Sequence, residues 1–200
     1  FTNAGIADLT GSNVIETVGN AQVDTATFKY GTGALEFDGV SDYLKVPNST
    51  AIDIATSENF TIEGWFYFNN FTSDTFFQRL WSYGNAQYNS VNFDVTNSGT
   101  LQFRVNDNLK CSSSVNLSTA TWHHVAVVRT GGNSVKIYVD GVGGTAGGTT
   151  DDLSGYDFYL GTLTDTSANM NGYVDDFRIT KGIARYTADF TPPEAELPKV

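Results

Sequence analysis

The chain has 200 residues, a formal net charge of −11 at pH 7 and one cysteine, Cys111. This length buries the core of one domain, and a single cysteine excludes a disulfide framework within the chain. The 11 basic residues are scattered, which argues against nucleic-acid binding because that function needs clustered Lys and Arg. No apolar run approaches the length of a membrane span, so we expect no membrane insertion.

Strand patterns follow one another along the chain, and helical periodicity is nearly absent. Each pattern alternates apolar and polar residues between turns rich in Gly, Asn and Ser. In chain order, the predicted strands and hairpins lie within residues 34–47, 60–68, 91–105, 122–141, 157–161 and 173–180. Short strands separated by such turns predict an all-β fold, specifically an antiparallel β-sandwich.

The spacing of these strands indicates one domain. The Gly- and Thr-rich stretch 141–155 is a loop in this interpretation, because the strands on both sides belong to one sheet system. The prolines near the C-terminus favour an extended segment. We therefore predict a domain over residues 1–190 and a Pro-rich C-terminal extension over residues 191–200. Because the sequence opens on Phe1 rather than Met, we also expect a piece of a longer polypeptide or a processed product.

The last predicted strand, "YVDDFRIT", carries two adjacent carboxylates. In period-2 geometry Asp175 shares a face with Phe177 and Ile179, and Asp176 shares the other face with Arg178. A carboxylate among core-facing apolar residues is costly unless a partner neutralises it. We expect Asp175 to face inward and Asp176 to pair with Arg178 at the surface.

Four segments together resemble the laminin-G-like, concanavalin A-like superfamily, and they occur in the order of that family. They are "GALEFDGVSDYLKVP", "FTIEGWFYF", "TWHHVAVVRTGGNSVKIYVDG" and "NGYVDDFRITKGIARYTADFTPP". The resemblance covers roughly residues 8–193 and implies a jelly roll of two curved antiparallel sheets. The closing segment looks most like the variant found in bacteriophage tail, fibre and other virion proteins. This implies a location on a virion surface or outside the cell.

The same resemblance implies a structural calcium ion. Many domains of this family hold one through an N-terminal ligand, a carbonyl after the Phe-Asp-Gly turn and an aspartate of the last strand. Here those ligands would be Asp8, Gly39 and Asp175, and a hard cation accepts such oxygens. A metal-free alternative stays open, in which Asp175 accepts hydrogen bonds from turn amides. Zinc is not expected from His123 and His124, because neighbouring strand residues point to opposite faces.

Catalysis is not expected. Glycan-cleaving members of this superfamily carry acids at alternate strand positions, and retaining hydrolysis places the two carboxyl groups about 5–5.5 Å apart. The sequence has no Glu-x-Asp-x-Glu pattern. Glu63 has two neighbours on the same strand face, Thr61 and Trp65, and neither is an acid. No nucleophile elbow indicates a Ser-His-Asp triad either. We therefore predict that this chain is not an enzyme.

Glycan binding is better supported, since sugar rings have apolar faces edged by hydroxyls and need aromatic rings beside polar side chains. Two segments, "RLWSYGNAQYNS" and "DLSGYDFYLG", have this composition in strand–loop positions. The predicted carbohydrate-binding residues are Trp81, Tyr83, Asn85, Tyr88, Tyr156 and Asp157. An alternative is that Trp81 and Tyr83 pack in the core. Trp65 and Trp122, inside strong strand patterns, are expected to be structural.

The favoured function is a non-catalytic, lectin-like adhesion module of a phage virion or surface fibre. It would bind a host or environmental glycan, with calcium stabilising the fold. A second hypothesis is a structural decoration or assembly domain that contacts other virion proteins and binds no sugar. A third is a bacterial secreted carbohydrate-binding module, which only the style of the closing segment separates from the phage case.

Overall fold

β-Strands make up the regular structure of this chain. The computed structural model describes residues 6–72, 77–84, 91–162 and 168–198, and these contain fifteen strands and no helix. The strands are β1 (Glu16–Val18), β2 (Gln22–Asp24), β3 (Ala34–Asp38), β4 (Tyr43–Val46), β5 (Phe60–Phe68), β6 (Phe77–Tyr83), β7 (Val91–Thr96), β8 (Leu101–Val105), β9 (Asn108–Ser112), β10 (Trp122–Thr130), β11 (Ser134–Val139), β12 (Val142–Gly143), β13 (Gly147–Gly148), β14 (Phe158–Leu160) and β15 (Asn171–Lys181). Within the same ranges, no helix is long and apolar enough to cross a membrane.

The described strands form two sheets with antiparallel pairing throughout. Sheet 1 has the order β1-β4-β14-β6-β7-β8-β9. Sheet 2 has the order β12-β11-β10-β5-β15-β3-β2, and β13 pairs with β11 beside it. Strands that are distant in sequence therefore lie side by side, as β5 does with β15. The predicted all-β, antiparallel sandwich is confirmed.

The core lies between the two sheets and is built from alternate strand positions. On β5 the inward-facing residues are Phe60, Ile62, Phe66 and Phe68, and all four are buried. Burying each such side chain stabilises the fold by about 1.5–3 kcal/mol. From sheet 1, Trp81 meets the rings of three core phenylalanines at centroid distances of 5.3, 6.0 and 6.1 Å. This aromatic packing joins β6, β7, β8 and β14.

A β-bulge interrupts the last strand. Asp175 lies opposite Trp65, and Arg178 lies opposite Glu63. The two residues between them, Asp176 and Phe177, therefore share the single partner Gly64. Bulges of this kind add one residue to a strand and bend it locally. At Gly64 a Cβ would lie 3.2 Å from the backbone of residue 177 and 3.3 Å from its ring. The missing side chain at Gly64 thus provides the space in which the bulged strand approaches β5.

The bulge changes which residues of β15 face the core. Asp176 occupies it with a φ of 49°. Phe177 and Ile179 pack against the core, whereas Asp175 lies on the outer face of sheet 2 together with Arg178. The predicted inward orientation of Asp175 is therefore wrong. Strict alternation holds only in a regular strand, and the extra residue reverses it between Asp175 and Phe177.

Residues 183–197 lie across the outer face of sheet 2, and we call them the C-terminal strap. The rings of Tyr186 and Phe190 stack at 3.6 Å and pack on a small apolar cluster of β10 and β11. Further along, the carbonyl of Pro193 accepts a 2.8 Å hydrogen bond from the hydroxyl of Tyr30. The amide of Leu197 donates to the Asp176 carboxylate, also at 2.8 Å. The predicted extension is thus docked on the sheet over its described part, and the boundary at residue 190 stays a prediction.

The carboxylate of Glu63 lies beneath the strap, 1% exposed. Arg178 donates to it at 2.6 Å and the Tyr186 hydroxyl at 2.7 Å, while Nε2 of His124 lies 3.2 Å away. Burial by itself would raise the pKa of Glu63, but the hydrogen bonds from His124, Tyr186 and Arg178 outweigh burial and hold it at about 2. Glu63 thereby joins β5, β10, β15 and the strap. Arg178 is paired with Glu63, so the expected surface pair between Asp176 and Arg178 is not formed.

Replacing Glu63 is expected to weaken the fold and flatten its response to acid. The pKa is lowered from 4.5 to about 2, so the ionised carboxylate contributes fully above pH 4.5 and the contribution is lost as pH falls towards 2. The shift corresponds to about 3 kcal/mol. Urea unfolding of Glu63→Gln between pH 7 and pH 2 measures this. The exposed Glu194→Gln is the control and should keep the wild-type profile. A Glu63→Gln profile parallel to that of the wild type would contradict the assignment.

Candidate functional site

The structure buries two of the predicted carbohydrate-binding residues. Trp81 is 1% exposed and Tyr83 is 0% exposed, and both lie on the core face of β6 opposite Phe93 and Val91. The hydroxyl of Tyr83 donates to the carbonyl of Ile52 at 3.1 Å, inside the protein. Neither ring is available to a ligand. The prediction of a sugar platform here is wrong, because these residues occupy inward positions of a central strand.

The other predicted binding residues do not form a site among the described ranges. Tyr156 is half-buried and packs against the core. The Asp157 carboxylate lies 3.1 Å from Nζ of Lys45 and accepts a 2.8 Å hydrogen bond from the amide of Asn48. Both residues hold neighbouring loops to sheet 1. Asn85 and Tyr88 lie outside the described residues.

The Asp175 carboxylate is fully used by backbone amides. One oxygen accepts hydrogen bonds from the amides of Lys29 and Tyr30 at 2.8 and 2.9 Å, and the other accepts the amide of Asp176 at 2.9 Å. Hydrogen bonds from turn amides to Asp175 are those named in the alternative that the sequence left open. Asp8 likewise caps its own turn, since its oxygens accept hydrogen bonds from residues two and five positions later.

Two of the three predicted calcium ligands, Gly39 and Asp175, lie far apart. Asp38 lies opposite Asn171 in the sheet, so Gly39 is displaced by five strand residues, or about 15 Å, from Asp175. In the part of the chain that the structure describes, no group of three or more His, Cys, Asp and Glu side chains is arranged to hold a metal ion. Gly39 and Asp175 therefore do not bind one shared ion, and calcium binding by this domain stays a prediction.

A row of three aromatic rings crosses the outer face of sheet 2. Trp122, Tyr67 and Tyr173 lie directly opposite one another on β10, β5 and β15. Their centroids are 5.5 and 5.6 Å apart, and their planes cross at 56° and 74°. All three side chains are partly exposed. The row lies away from the part of β5 that the strap covers at Glu63, because Tyr67 is four residues, or about 13 Å, further along this strand. We call these three rings the aromatic row. It includes Trp122, for which the strand pattern predicted a structural role.

Polar side chains extend the aromatic row at its Tyr173 end. In the same register, Tyr173 lies opposite Glu36, which lies opposite Gln22. The amide of Gln22 donates to Glu36 at 2.9 Å, and the hydroxyl of Tyr173 donates to its other oxygen at 3.4 Å. On the same face, the side-chain amide of Asn69 donates to Asn171 at 2.8 Å. The rings are thus bordered by a fixed carboxylate and by amides.

A polar cavity of about 400 Å³ opens beside Glu36. Its lining residues are Gly19, Asn20, Ala21, Gln22, Glu36, Asp38 and Asp42. The Asp42 carboxylate is buried and accepts the amides of Asn20 and Asp38 at 2.5 and 3.0 Å. Burial raises the pKa of Asp42; these amides oppose the rise, and the charge of Asp38 adds to it. The aromatic row and this cavity together form the row-and-cavity site.

A second arrangement that the sequence did not reveal joins Ser118, His123 and Asp140. Oγ of Ser118 lies 2.9 Å from Nε2 of His123, and Nδ1 lies 2.7 Å from the Asp140 carboxylate. The order of groups is that of a hydrolase triad. The amide of Ser118, however, donates to the same Nε2 at 3.1 Å and so is turned away from the position where it would stabilise an oxyanion. The three residues fasten two loops to β10.

The geometry agrees with a match to a known family. Residues 38–184 match the model of the concanavalin A-like lectin/glucanases superfamily. The chain belongs to this superfamily. Among curated proteins, no sequence matches it significantly.

Solved structures show the same fold at low sequence identity. Domain 4 of AbnA, an extracellular arabinanase from Geobacillus stearothermophilus in complex with arabinotriose, is 16% identical with a TM-score of 0.63, over 86% of this chain and 83% of that one. The heptameric SAP-like pentraxin of Limulus polyphemus is 16% identical with a TM-score of 0.53, over 72% and 73%. The botulinum neurotoxin serotype G binding domain is 13% identical with a TM-score of 0.63, over 87% of this chain but 44% of that domain. These similarities support the jelly-roll architecture.

Asp175→Asn is expected to lower the melting temperature equally in calcium and in chelator. The carboxylate accepts hydrogen bonds from three amides, and an asparagine would place a partly buried NH₂ donor against these donors, at a cost of about 1–3 kcal/mol. Thermal melts of both proteins with calcium and with chelator measure the effect. Asp107→Asn, at an exposed turn, is the control. If calcium raises the wild-type melting temperature and Asp175→Asn abolishes that rise, Asp175 is a cation ligand after all.

Proposed function

We propose that this domain is a non-catalytic, lectin-like module that binds an oligosaccharide at the row-and-cavity site. The observation that carries this proposal is the aromatic row, which places three partly exposed rings side by side and ends at the fixed carboxylate of Glu36. Sugar rings stack their apolar C–H faces on aromatic rings while their hydroxyls donate to carboxylates and amides. The row supplies the first kind of contact, and Glu36, Gln22 and Asn171 supply the second.

The shape of the row indicates a single sugar chain as ligand. Because the ring planes cross at 56° and 74°, the row is ridged rather than flat. A crystalline polysaccharide surface is flat and would touch only the edges of such rings. A single chain adjusts to a ridged surface, and its end or a branch enters the cavity beside Glu36. We therefore propose a soluble oligosaccharide or an exposed glycan chain.

The proposal that the module is non-catalytic rests on how its carboxylates are held. Glu36 and Asp38 occupy alternate positions of β3, as do the acids of glycan-cleaving relatives. Glu36 accepts hydrogen bonds from Gln22 and Tyr173, and Asp38 accepts the amide of Val40 at 2.6 Å within its own turn. These contacts fix the carboxylates as acceptors and borders of the site, which suits binding.

The setting that we propose is a virion surface or another extracellular surface, where the module adheres to a host or environmental glycan. Two observations support it. The closing segment of the sequence resembles that of bacteriophage tail and fibre domains. A domain of the same fold, domain 4 of the AbnA arabinanase, is known in complex with arabinotriose. Assembly with other virion proteins remains the competing proposal, and it predicts association without sugar affinity.

Removing a ring of the row should weaken binding and leave the fold intact. Tyr67→Ala and Trp122→Ala each remove a partly exposed ring, and we expect each to weaken binding about tenfold, since one aromatic contact is worth about 0.5–1.5 kcal/mol beyond its buried area. A glycan-array screen in calcium buffer, repeated with chelator, identifies the ligand, and calorimetry measures the affinities. Unfolding midpoints of both variants should stay close to that of the wild type.

Two controls separate this site from the one predicted in β6. Tyr159→Ala removes a partly exposed ring of sheet 1, 6.0 Å from Tyr43, and should leave binding unchanged. Trp81→Ala should lower the free energy of unfolding by about 3–5 kcal/mol because it opens a core cavity. Undiminished affinity in a Tyr67→Ala/Trp122→Ala double variant would place the site elsewhere.

A further inference from the structure

The charges of the row-and-cavity site have one sign. Glu36, Asp38 and Asp42 line the cavity, and its other lining residues are uncharged. The rings and amides next to it, at Tyr67 and Asn69 for example, are also uncharged. Among the described residues that we assign to this site there is no Lys, Arg or His. A ligand that enters therefore meets carboxylates and hydrogen-bonding amides, with no cation beside them.

These carboxylates are not free to turn away from a ligand. Glu36 is held by Gln22 on one oxygen and by Tyr173 on the other. The Asp42 carboxylate, also in the cavity lining, is fixed by the backbone amides of Asn20 and Asp38. Asp38 is fixed by its turn, next to Asp42. A negative group brought into the cavity would face fixed carboxylates that already repel one another.

We propose that the row-and-cavity site selects neutral and amino sugars and rejects anionic glycans, with Glu36 as the specificity-determining residue. The inference rests on the proposed function and deepens it by naming the class of glycan. Sugars with uronate, sialate or sulfate groups near the row are excluded by charge. Sugars with only hydroxyls donate to Glu36, and a protonated amino sugar adds an ionic contact to the same hydrogen bond.

Charge–charge interactions between these carboxylates and a charged glycan are strong enough to select between neutral and anionic sugars. Two unit charges about 4–8 Å apart near a protein surface interact strongly enough to change affinity by at least about tenfold. The chain as a whole carries a net charge of −11, so approach of an anionic glycan is disfavoured at longer range as well. The selection should therefore weaken as salt rises, whereas stacking of a neutral sugar on the aromatic row should not.

The test is a glycan array grouped by charge, probed with the wild type and with Glu36→Gln at about 50 mM and about 500 mM salt. We expect neutral and amino glycans to bind and uronate, sialylated and sulfated glycans to be at least about tenfold weaker. Glu36→Gln should reduce the preference for amino over neutral sugars about fivefold or more. Glu16→Gln, the same charge change on sheet 1 with a half-exposed side chain, is the matched control and should bind as the wild type does.

The outcomes distinguish the two proposals. Anionic glycans that bind as tightly as neutral ones overturn the charge selection and leave the glycan-binding function standing. Binding of no glycan class overturns both. A melting curve is recorded for each variant, and Asp38→Asn at the exposed turn provides a second variant if Glu36→Gln is unstable. A preference for amino sugars that neither substitution nor salt alters also overturns the role of these carboxylates.

Discussion

The buried carboxylate of Glu63 is the constraint on which the outer face of sheet 2 depends. An ionised group without solvent is stable only when donors surround it, and here Arg178, Tyr186 and His124 approach it from β15, the strap and β10. Because Tyr186 is one of the three, the strap cannot leave the sheet without exposing a carboxylate that has lost a partner. The strap is thus held in place by a charge as well as by the stacked rings of Tyr186 and Phe190.

This constraint divides the outer face of sheet 2 into two parts. Around Glu63 and Trp65, the strap and the turn at Tyr30 cover the sheet, and Trp65 is buried although it faces outward. Further along the same strands the face is open, and Tyr67, like its neighbours in the row, is partly exposed. One sheet therefore has a covered part that stabilises the domain and an open part on which the rings of the row are partly exposed.

The bulge at Asp176 connects the two parts. Asp175 precedes the bulge and lies on the outer face; the added residue brings Arg178 to that same face and keeps Phe177 in the core. Asp175 can then fix the turn at residues 29–30, and Arg178 can reach Glu63. Upstream of the bulge the regular register places Tyr173 in the aromatic row. A single inserted residue thus decides which side chains stabilise the strap and leaves the aromatic row undisturbed.

The sequence by itself determined the fold class, because strand alternation and turn residues are local signals that survive without tertiary contacts. It also placed Phe60–Phe68 as a strand, as the structure confirms. It did not locate the site. Trp81 and Trp122 both follow strand patterns, and only the pairing of strands decides that the first faces the core and the second lies beside Tyr67.

Tertiary structure decided the rest for a physical reason. A row across a sheet joins residues that are far apart in sequence, and their register depends on the whole set of strand pairs. Here these residues are Gln22, Glu36, Tyr67, Trp122 and Tyr173. A bulge depends likewise on the partner strand, here on a glycine that leaves space for it. Composition and local periodicity carry no record of either. The sequence therefore determined the fold class of this protein, and the pairing of its strands decided which side chains lie together on the open face of sheet 2.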